Sequence, residues 1–125
     1  SKVTLSGRHV NNYMKKYVID FANFFIEKSR IKKNKIKICV VGLTYKYGVA
    51  DTRNSQKIQI LKYFRKKFKF TKGFDPFLKS SDKLDNNELK KYNFFIFLSK
   101  GQKFENIANL LSKKKIIDPF FYYSK

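Results

Sequence analysis

An apolar run at residues 36–41, which breaks at Gly42 into a polar loop, constrains the fold more than any other stretch of the sequence. The run, IKICVV, is short and rich in β-branched residues, which is typical of a strand buried in a sheet. A helical pattern begins near Ser55, so the local order is strand, loop and helix. Loops that leave the carboxyl ends of strands in α/β sheets are where ligands usually bind. We therefore expect the function to depend on this loop.

The alternation of strands and helices continues along the chain. Apolar spacing predicts helices over residues 10–29, residues 56–67, and around the period Phe104, Ile107, Ala108 and Leu111. Further strands are expected at residues 68–74, 94–98 and 115–118, with a mostly polar loop at residues 77–91 that contains a short helical turn. In the second helix, Ser55 is the expected N-cap, and the expected inward stripe is Ile58, Leu61 and Phe64 or Arg65.

These elements predict an α/β fold. Short apolar strands that alternate with helices are typical of a parallel sheet with right-handed crossovers. Nearly continuous apolar strands indicate that helices cover both faces of that sheet. We therefore predict a three-layer sandwich with a mostly parallel sheet of about four strands, preceded by a long helix.

The strong positive charge of the chain favours anionic ligands without identifying one. The net charge is +20, which is the expected footprint of a nucleic-acid-binding domain. However, arginine, which makes the bidentate contacts to bases and phosphates, occurs only at Arg8, Arg30, Arg53 and Arg65, and lysines are spread through every segment. We do not expect nucleic acid as the partner. A basic noncatalytic nucleic-acid-binding domain or an assembly domain stays open as the alternative.

No catalytic or metal-binding motif is complete in the sequence. The single Cys39 excludes an internal disulfide, and its place in the apolar run predicts a small buried hydrophobe. No acidic or cysteine/histidine cluster has the spacing of metal ligands, so no metal is expected. No apolar run approaches ~18 residues and no signal-peptide pattern occurs, so we expect a cytoplasmic protein without a membrane span.

The glycines of the central loop do not match a phosphate-binding fingerprint. Gly42 and Gly48 are separated by five residues, whereas the dinucleotide-binding fingerprint has the spacing G-x-G-x-x-G. No Gly-Lys-Ser/Thr segment follows, so the loop is not a P-loop either. We therefore do not expect this sheet to hold the pyrophosphate of NAD in the Rossmann manner.

Four short motifs follow one another in order along the chain. They are residues 7–14 (GRHVNNYM), 41–46 (VGLTYK), 51–55 (DTRNS) and 74–76 (FDP). At these spacings they resemble the UDP-glucose/GDP-mannose dehydrogenase family of nucleotide-sugar 6-dehydrogenases. The family's motifs are Gly-Arg-x-x-Asn, Gly-x-x-Phe-Lys, Asp-x-Arg-x-Ser and Tyr-Asp-Pro. Each motif is weak alone, but four in order over nearly the whole chain are specific.

The resemblance implies a fold, an activity and a domain organisation. Residues 35–125 would be the Rossmann-like C-terminal nucleotide-sugar-binding domain, and residues 1–34 the C-terminal part of the central dimerisation helix region. The intact enzyme would use NAD to oxidise the C6 hydroxyl of a UDP-hexose or UDP-N-acetylhexosamine to the uronate, in polysaccharide biosynthesis. The family's NAD domain and its Gly-Gly-x-Cys segment have no counterpart in this chain. Cys39 does not match the catalytic cysteine, so the chain alone is expected to have no catalytic residues and no activity.

Three site residues follow from the resemblance. Tyr45 stands where the family has Phe, and Lys46 where it has a Lys that contacts the substrate; both are assigned to substrate binding. Arg53 matches the Arg that reaches toward the cofactor. An ammonium group at a strand terminus can bond sugar hydroxyls or offset the charge of a diphosphate. The alternative that Lys46 is one more solvated lysine stays open, and Asp51 is expected to structure the loop or to pair with Arg53.

The end of the chain departs from the family pattern. After the last strand the family often has Asp-x-Arg, whose Arg can reach the substrate. Here Asp118 is followed by residues 119–123 (PFFYY), which include no Arg. Ser99 likewise stands where many bacterial members of the family have a His after the third strand. Either the sugar or nucleotide contact differs in this chain, or this copy of the domain has drifted.

The first helix raises the question of a partner chain. Tyr13 and Phe24 widen its apolar surface beyond what one sheet would cover. Docking on its own domain alone and packing on a second copy both stay open. The resemblance implies a homodimer through this helix in the full-length enzyme. The expected partners are thus a UDP-sugar and a second copy of the chain.

Overall fold

The structure is a computed structural model that describes residues 7–43, 52–75 and 86–123, with side chains from residue 13 in the first helix and from residue 56 in the second. The elements in chain order are α1 (Gly7–Lys28), β1 (Lys37–Val41), α2 (Thr52–Lys67), β2 (Phe70–Phe74), α3 (Asn86–Lys91), β3 (Phe94–Phe97), α4 (Gln102–Asn109) and β4 (Ile116–Ile117). Short 3-10 helices at Lys33–Lys35 and Lys113–Lys115 lead into β1 and β4.

In the described part of the chain, four strands form one sheet in the order β2-β1-β3-β4. All three pairings are parallel. Val41 is in register with Phe74 on one side and with Phe97 on the other, so β1, β2 and β3 end at the same level. The parallel sheet confirms the predicted α/β fold class.

Different helices cover the two faces of the sheet, because successive side chains of a strand point to opposite faces. Ile38 and Val40 of β1 pack in a core cluster with residues of α1 and α2, which include Val18, Ala22, Ile60 and Phe64. Cys39 and Val41 pack on the other face with residues of α3 and α4, which include Leu89, Phe104 and Ala108. Cys39 is buried, as its place in the apolar run predicted.

Helix α2 is placed differently from the prediction in two respects. It begins at Thr52, so Ser55 lies inside its first turn and is not the N-cap. Ile58 is 37% exposed, whereas Ile60 is buried together with the correctly predicted Leu61 and Phe64. Apolar spacing selected Ile58 because it lies three residues before Leu61. The stripe that faces the sheet instead begins at the polar Gln56 and continues one turn later at Ile60.

The long helix α1 packs against α2 on the same face of the sheet. Polar side chains join the two helices at their exposed edges: Lys15 Nζ donates to Gln59 Oε1 over 2.9 Å, and Asn23 Nδ2 donates to the Tyr63 hydroxyl over 3.0 Å. Among the described helices, none combines the length and the apolar character needed to cross a membrane.

Candidate ligand-binding edge of the sheet

The carboxyl ends of the four strands bring Gly42, Asp75, Ser99 and Asp118 to one edge of the sheet. The two outer strands are followed by the buried carboxylates Asp75 and Asp118, and the two inner strands by Gly42 and by Leu98 and Ser99. From β1 the chain passes through α2 to β2 on one side, and it then crosses to β3 on the other side of β1. The strand order therefore reverses between β1 and β3, and ligands of open α/β sheets bind in such a crevice.

Gly42 and Ser99 contact each other at the point where the strand order reverses. The Ser99 hydroxyl donates to the Gly42 carbonyl oxygen over 2.9 Å, and the Gly42 amide donates to the Phe74 carbonyl oxygen over 2.9 Å. Gly42 has φ +93°, and a Cβ added to it would lie 2.6 Å from both Cβ and Oγ of Ser99. Only glycine fits this position without strain, because it has no Cβ and tolerates positive φ.

Lys57 of α2 reaches the same point. Its ammonium group is half-buried and donates to the Ser99 hydroxyl oxygen over 3.1 Å. The Ser99 hydroxyl thus accepts from Lys57 while it donates to Gly42, and these two contacts fix its direction. Since α2 leaves the carboxyl end of β1, its N-terminal end, with the positive end of the helix dipole, lies at this edge.

Gln56, next to Lys57, places a buried amide at the same end of α2. The residue is only 5% exposed, and no hydrogen-bond partner within the described structure reaches its Oε1 atom. Because an unpaired buried carbonyl oxygen costs about 1–3 kcal/mol, such atoms in native proteins call for an explanation.

Residues 118–123 close the edge beside β3. The two Asp118 oxygens accept from the backbone amides of Tyr122 (3.0 Å) and Tyr123 (2.7 Å). The Tyr123 hydroxyl donates to the Ser99 carbonyl oxygen over 2.7 Å, and its ring packs edge-on against Phe97. Partial burial, followed by the negative charge of Asp118, raises the pKa of Tyr123 to about 12. Asp118 thus has a structural role in this chain, in which it caps the turn that brings Tyr123 to Ser99.

Comparison with known proteins identifies the family of the chain. Residues 39–124 match the family model of the UDP-glucose/GDP-mannose dehydrogenase family, UDP binding domain. This chain belongs to that family. The match spans the carboxyl ends of all four strands, and it confirms the resemblance that the four sequence motifs indicated.

A dehydrogenase of Pyrococcus horikoshii is similar to this member of the UDP-glucose/GDP-mannose dehydrogenase family over almost all of the chain's length, both in sequence and in structure. UDP-N-acetyl-D-mannosamine dehydrogenase of Pyrococcus horikoshii is 26% identical over 117 residues, which are 90% of this chain and 28% of the relative. The solved structure of the UDP-D-ManNAc dehydrogenase from P. horikoshii superimposes with a TM-score of 0.68 at 26% identity, covering 89% of this chain and 28% of that one. The chain therefore spans little more than a quarter of this relative.

Of the site residues that the family resemblance assigned, the structure describes only the backbone of Arg53. Tyr45, Lys46 and Asp51 lie outside the described residues. Arg53 belongs by its backbone to the first turn of α2, and its side chain is outside the described part. Their roles stay predictions. The structure adds Lys57 and Gln56, which no motif indicated. It also places Ser99, which stands where many members of the family have a His, in contact with Lys57.

This member of the family does not offer a cradle for the pyrophosphate of NAD at Gly42. In a dinucleotide fold the glycines leave open space in which the backbone approaches the phosphates. Here the position that a Cβ of Gly42 would take is filled by the side chain of Ser99. Within the described residues, no group of three or more side chains is suited to hold a metal ion.

Proposed function

We propose that this chain binds the nucleotide part of a UDP-sugar at the carboxyl edge of its sheet, as the substrate-binding domain of a nucleotide-sugar dehydrogenase. The match of residues 39–124 to the family's UDP-binding domain carries this proposal. The reversal of strand order between β1 and β3 supports it independently, since this is where open α/β sheets bind ligands. The net charge of +20 favours a polyanionic ligand such as a nucleoside diphosphate.

The reaction of the intact enzyme would be the oxidation of the C6 hydroxyl of a UDP-hexose or UDP-N-acetylhexosamine to the uronate. The similarity to UDP-N-acetyl-D-mannosamine dehydrogenase favours the N-acetylated sugars. NAD would accept the hydrides, and it would be held mainly by a domain outside this chain, because the space beside Gly42 is filled. In this arrangement Tyr45 and Lys46 contact the sugar nucleotide, and Arg53 extends toward the cofactor.

We also propose that α1 mediates a homodimer in the full-length enzyme. Two aromatic side chains of α1 are largely exposed, Tyr13 at 71% and Phe24 at 59%. Together with Tyr17, Phe21 and Phe25 they form the α1 aromatic face. Between Tyr17 and Phe25, the centroids of neighbouring rings lie 5.1 to 6.0 Å from each other. Exposed aromatic surface of this kind is typical of protein–protein interfaces.

Ligand-induced stabilisation of the 125-residue chain tests the nucleotide assignment. The expected order of stabilisation is UDP-N-acetylhexosamine or UDP-glucose first, then UDP, with GDP-mannose and ATP well behind. A ligand at a hundred times its dissociation constant stabilises by ~2.7 kcal/mol, which is measurable by thermal or urea unfolding. Equal stabilisation by all nucleotides, or by duplex DNA with a steep salt dependence, would favour a general polyanion-binding domain instead.

Turnover measurements test whether this chain has a binding role without catalytic activity of its own. The chain mixed with NAD and a UDP-sugar is expected to form no NADH, because it lacks the family's cysteine-bearing segment. NADH formation by the chain alone would contradict the assignment of a binding role.

A further inference from the structure

We propose that Lys57, positioned by Ser99 at the reversal point of the sheet, is a binding residue for the diphosphate of the ligand. The inference rests on the proposed function and names a residue of that same site. Lys57 belongs to none of the motifs that identify the family, so its assignment comes from the geometry.

Ser99 orients the side chain of Lys57. The ammonium group of Lys57 lies 3.1 Å from the Ser99 hydroxyl oxygen, whose own proton is directed to the Gly42 carbonyl oxygen. This contact holds the ammonium group at the point where the strand order reverses. A lysine whose rotamers are already restricted loses less conformational entropy when it binds a ligand.

The charges along this edge of the sheet also favour an anion beside Lys57. Buried carboxylates follow the outer strands, but the Asp118 oxygens are turned toward the backbone amides of Tyr122 and Tyr123. Between them, at the inner strands, the described residues present the Lys57 cation and the N-terminal end of α2. A cation next to a helix N-terminus favours an anion at this position of the edge.

The side-chain amide of Gln56 has an oxygen without a hydrogen-bond partner among the described residues. Its Oε1 atom is buried without a partner among the described residues, and Gln56 is next in sequence to Lys57. Its place one turn before Ile60 puts it on the sheet-facing stripe of α2. A carbonyl oxygen needs a donor, and a sugar nucleotide carries hydroxyl and N–H donors beside its diphosphate. The juxtaposed cation and acceptor thus match a ligand that presents both an anion and a donor.

Binding of UDP, UMP and uridine to single variants of the 125-residue chain tests the proposal. Lys57→Met keeps the length of the side chain and removes the charge, and Lys57→Arg keeps the charge. Lys62, on the exposed side of the same helix, supplies the matched control Lys62→Met. Ser99→Ala removes the hydroxyl that positions Lys57. Affinities are measured by isothermal titration calorimetry, and each free variant is also unfolded in urea.

Lys57→Met is expected to weaken UDP by about ten- to a hundredfold, the usual range for a lost hydrogen bond to a charged group, and to change uridine affinity little. Lys57→Arg should recover most of the loss, and Lys62→Met should bind like the wild type. Ser99→Ala should weaken UDP by a smaller factor, again with a larger effect on UDP than on uridine. A purely structural role of Lys57 would lower stability and reduce the affinities for UDP and uridine by the same factor, which would overturn the proposal.

Gln56→Leu gives a second and independent result. If the buried amide awaits a donor from the ligand, removing it should leave the free chain as stable as before or more stable, while affinity for the UDP-sugar falls. A less stable free chain with unchanged affinity would overturn this part of the argument. Wild-type chain that binds no UDP would contradict the proposed function, whereas UDP binding that Lys57→Met leaves intact would contradict only the role of Lys57.

Discussion

The Ser99 hydroxyl and the Gly42 carbonyl oxygen are joined by a hydrogen bond of 2.9 Å, and a methyl group added to Gly42 would come within 2.6 Å of the Ser99 Cβ. The two residues are 57 positions apart in the sequence. Gly42 directly follows β1, and Ser99 lies two residues after the end of β3. Their contact fixes how the loop after β1 leaves the sheet.

Gly42→Ala is expected to destabilise the chain by ~2–4 kcal/mol, because a strained positive φ and a steric clash with Ser99 add together. Gly101→Ala is the matched control, since Gly101 also has positive φ (+150°) but its added Cβ would lie 3.5 Å from the nearest atom of Phe104. Urea unfolding should give the larger loss for Gly42→Ala. Equal losses would show that contact with Ser99 adds nothing. In a double-mutant cycle, Ser99→Gly should relieve part of the Gly42→Ala loss.

Tyr123→Phe is expected to lower the free energy of unfolding at neutral pH by ~0.5–1.5 kcal/mol, because the hydrogen bond to the Ser99 carbonyl oxygen is lost. The Tyr123 pKa is raised from 10.0 to about 12 in the folded chain, so folding favours the protonated phenol. The resulting stabilisation is fully present below the unfolded pKa and is lost as the pH rises through the folded pKa. Because the side chain is only partly buried and solvent screens its charge, this pH-dependent part should stay below ~1 kcal/mol.

The measurement is the difference in unfolding free energy between the wild type and Tyr123→Phe as a function of pH. The difference cancels the titration of the many lysines, which both chains share. It should be constant in mildly alkaline solution and then shrink across the window between the two pKa values, 10.0 and about 12. A difference that grows with pH would mean that the folded chain favours the phenolate.

Asp118→Ala is expected to loosen residues 119–123 and to destabilise the chain by ~1–3 kcal/mol, because the amides of Tyr122 and Tyr123 lose their acceptors. Asp118→Asn keeps one acceptor oxygen and should cost less. Hydrogen exchange at the two amides measures the effect directly. Unchanged exchange in Asp118→Ala would show that the carboxylate does not hold this turn.

Phe24→Glu is expected to abolish self-association through the α1 aromatic face, because a charge placed in an apolar interface must be desolvated. Sedimentation equilibrium of the wild-type chain should indicate a species above the monomer mass of 14.9 kDa at high concentration. The matched control is Leu110→Glu, since Leu110 is 67% exposed at the end of α4 and away from α1. A wild-type chain that stays monomeric at all concentrations would argue against the homodimer.

Much of the fold could be predicted from local patterns. Strands β1 and β3 were found almost to the residue because both of their faces are buried, so every side chain except that of Lys37 at the start of β1 is apolar. In α2 this logic failed, because the buried stripe starts at the polar Gln56 and an apolar count preferred the exposed Ile58.

The sequence by itself thus determined the class of fold, the family and the edge of the sheet at which a ligand should bind. These follow from short-range patterns of residue type and from motif order, which tertiary structure does not alter. Only the tertiary structure decided that Lys57, Ser99 and Gly42 meet, since two of them are 42 residues apart and no local pattern encodes a contact over that distance. These residues meet because β1 and β3 pair in parallel, which brings the carboxyl ends of the two strands side by side.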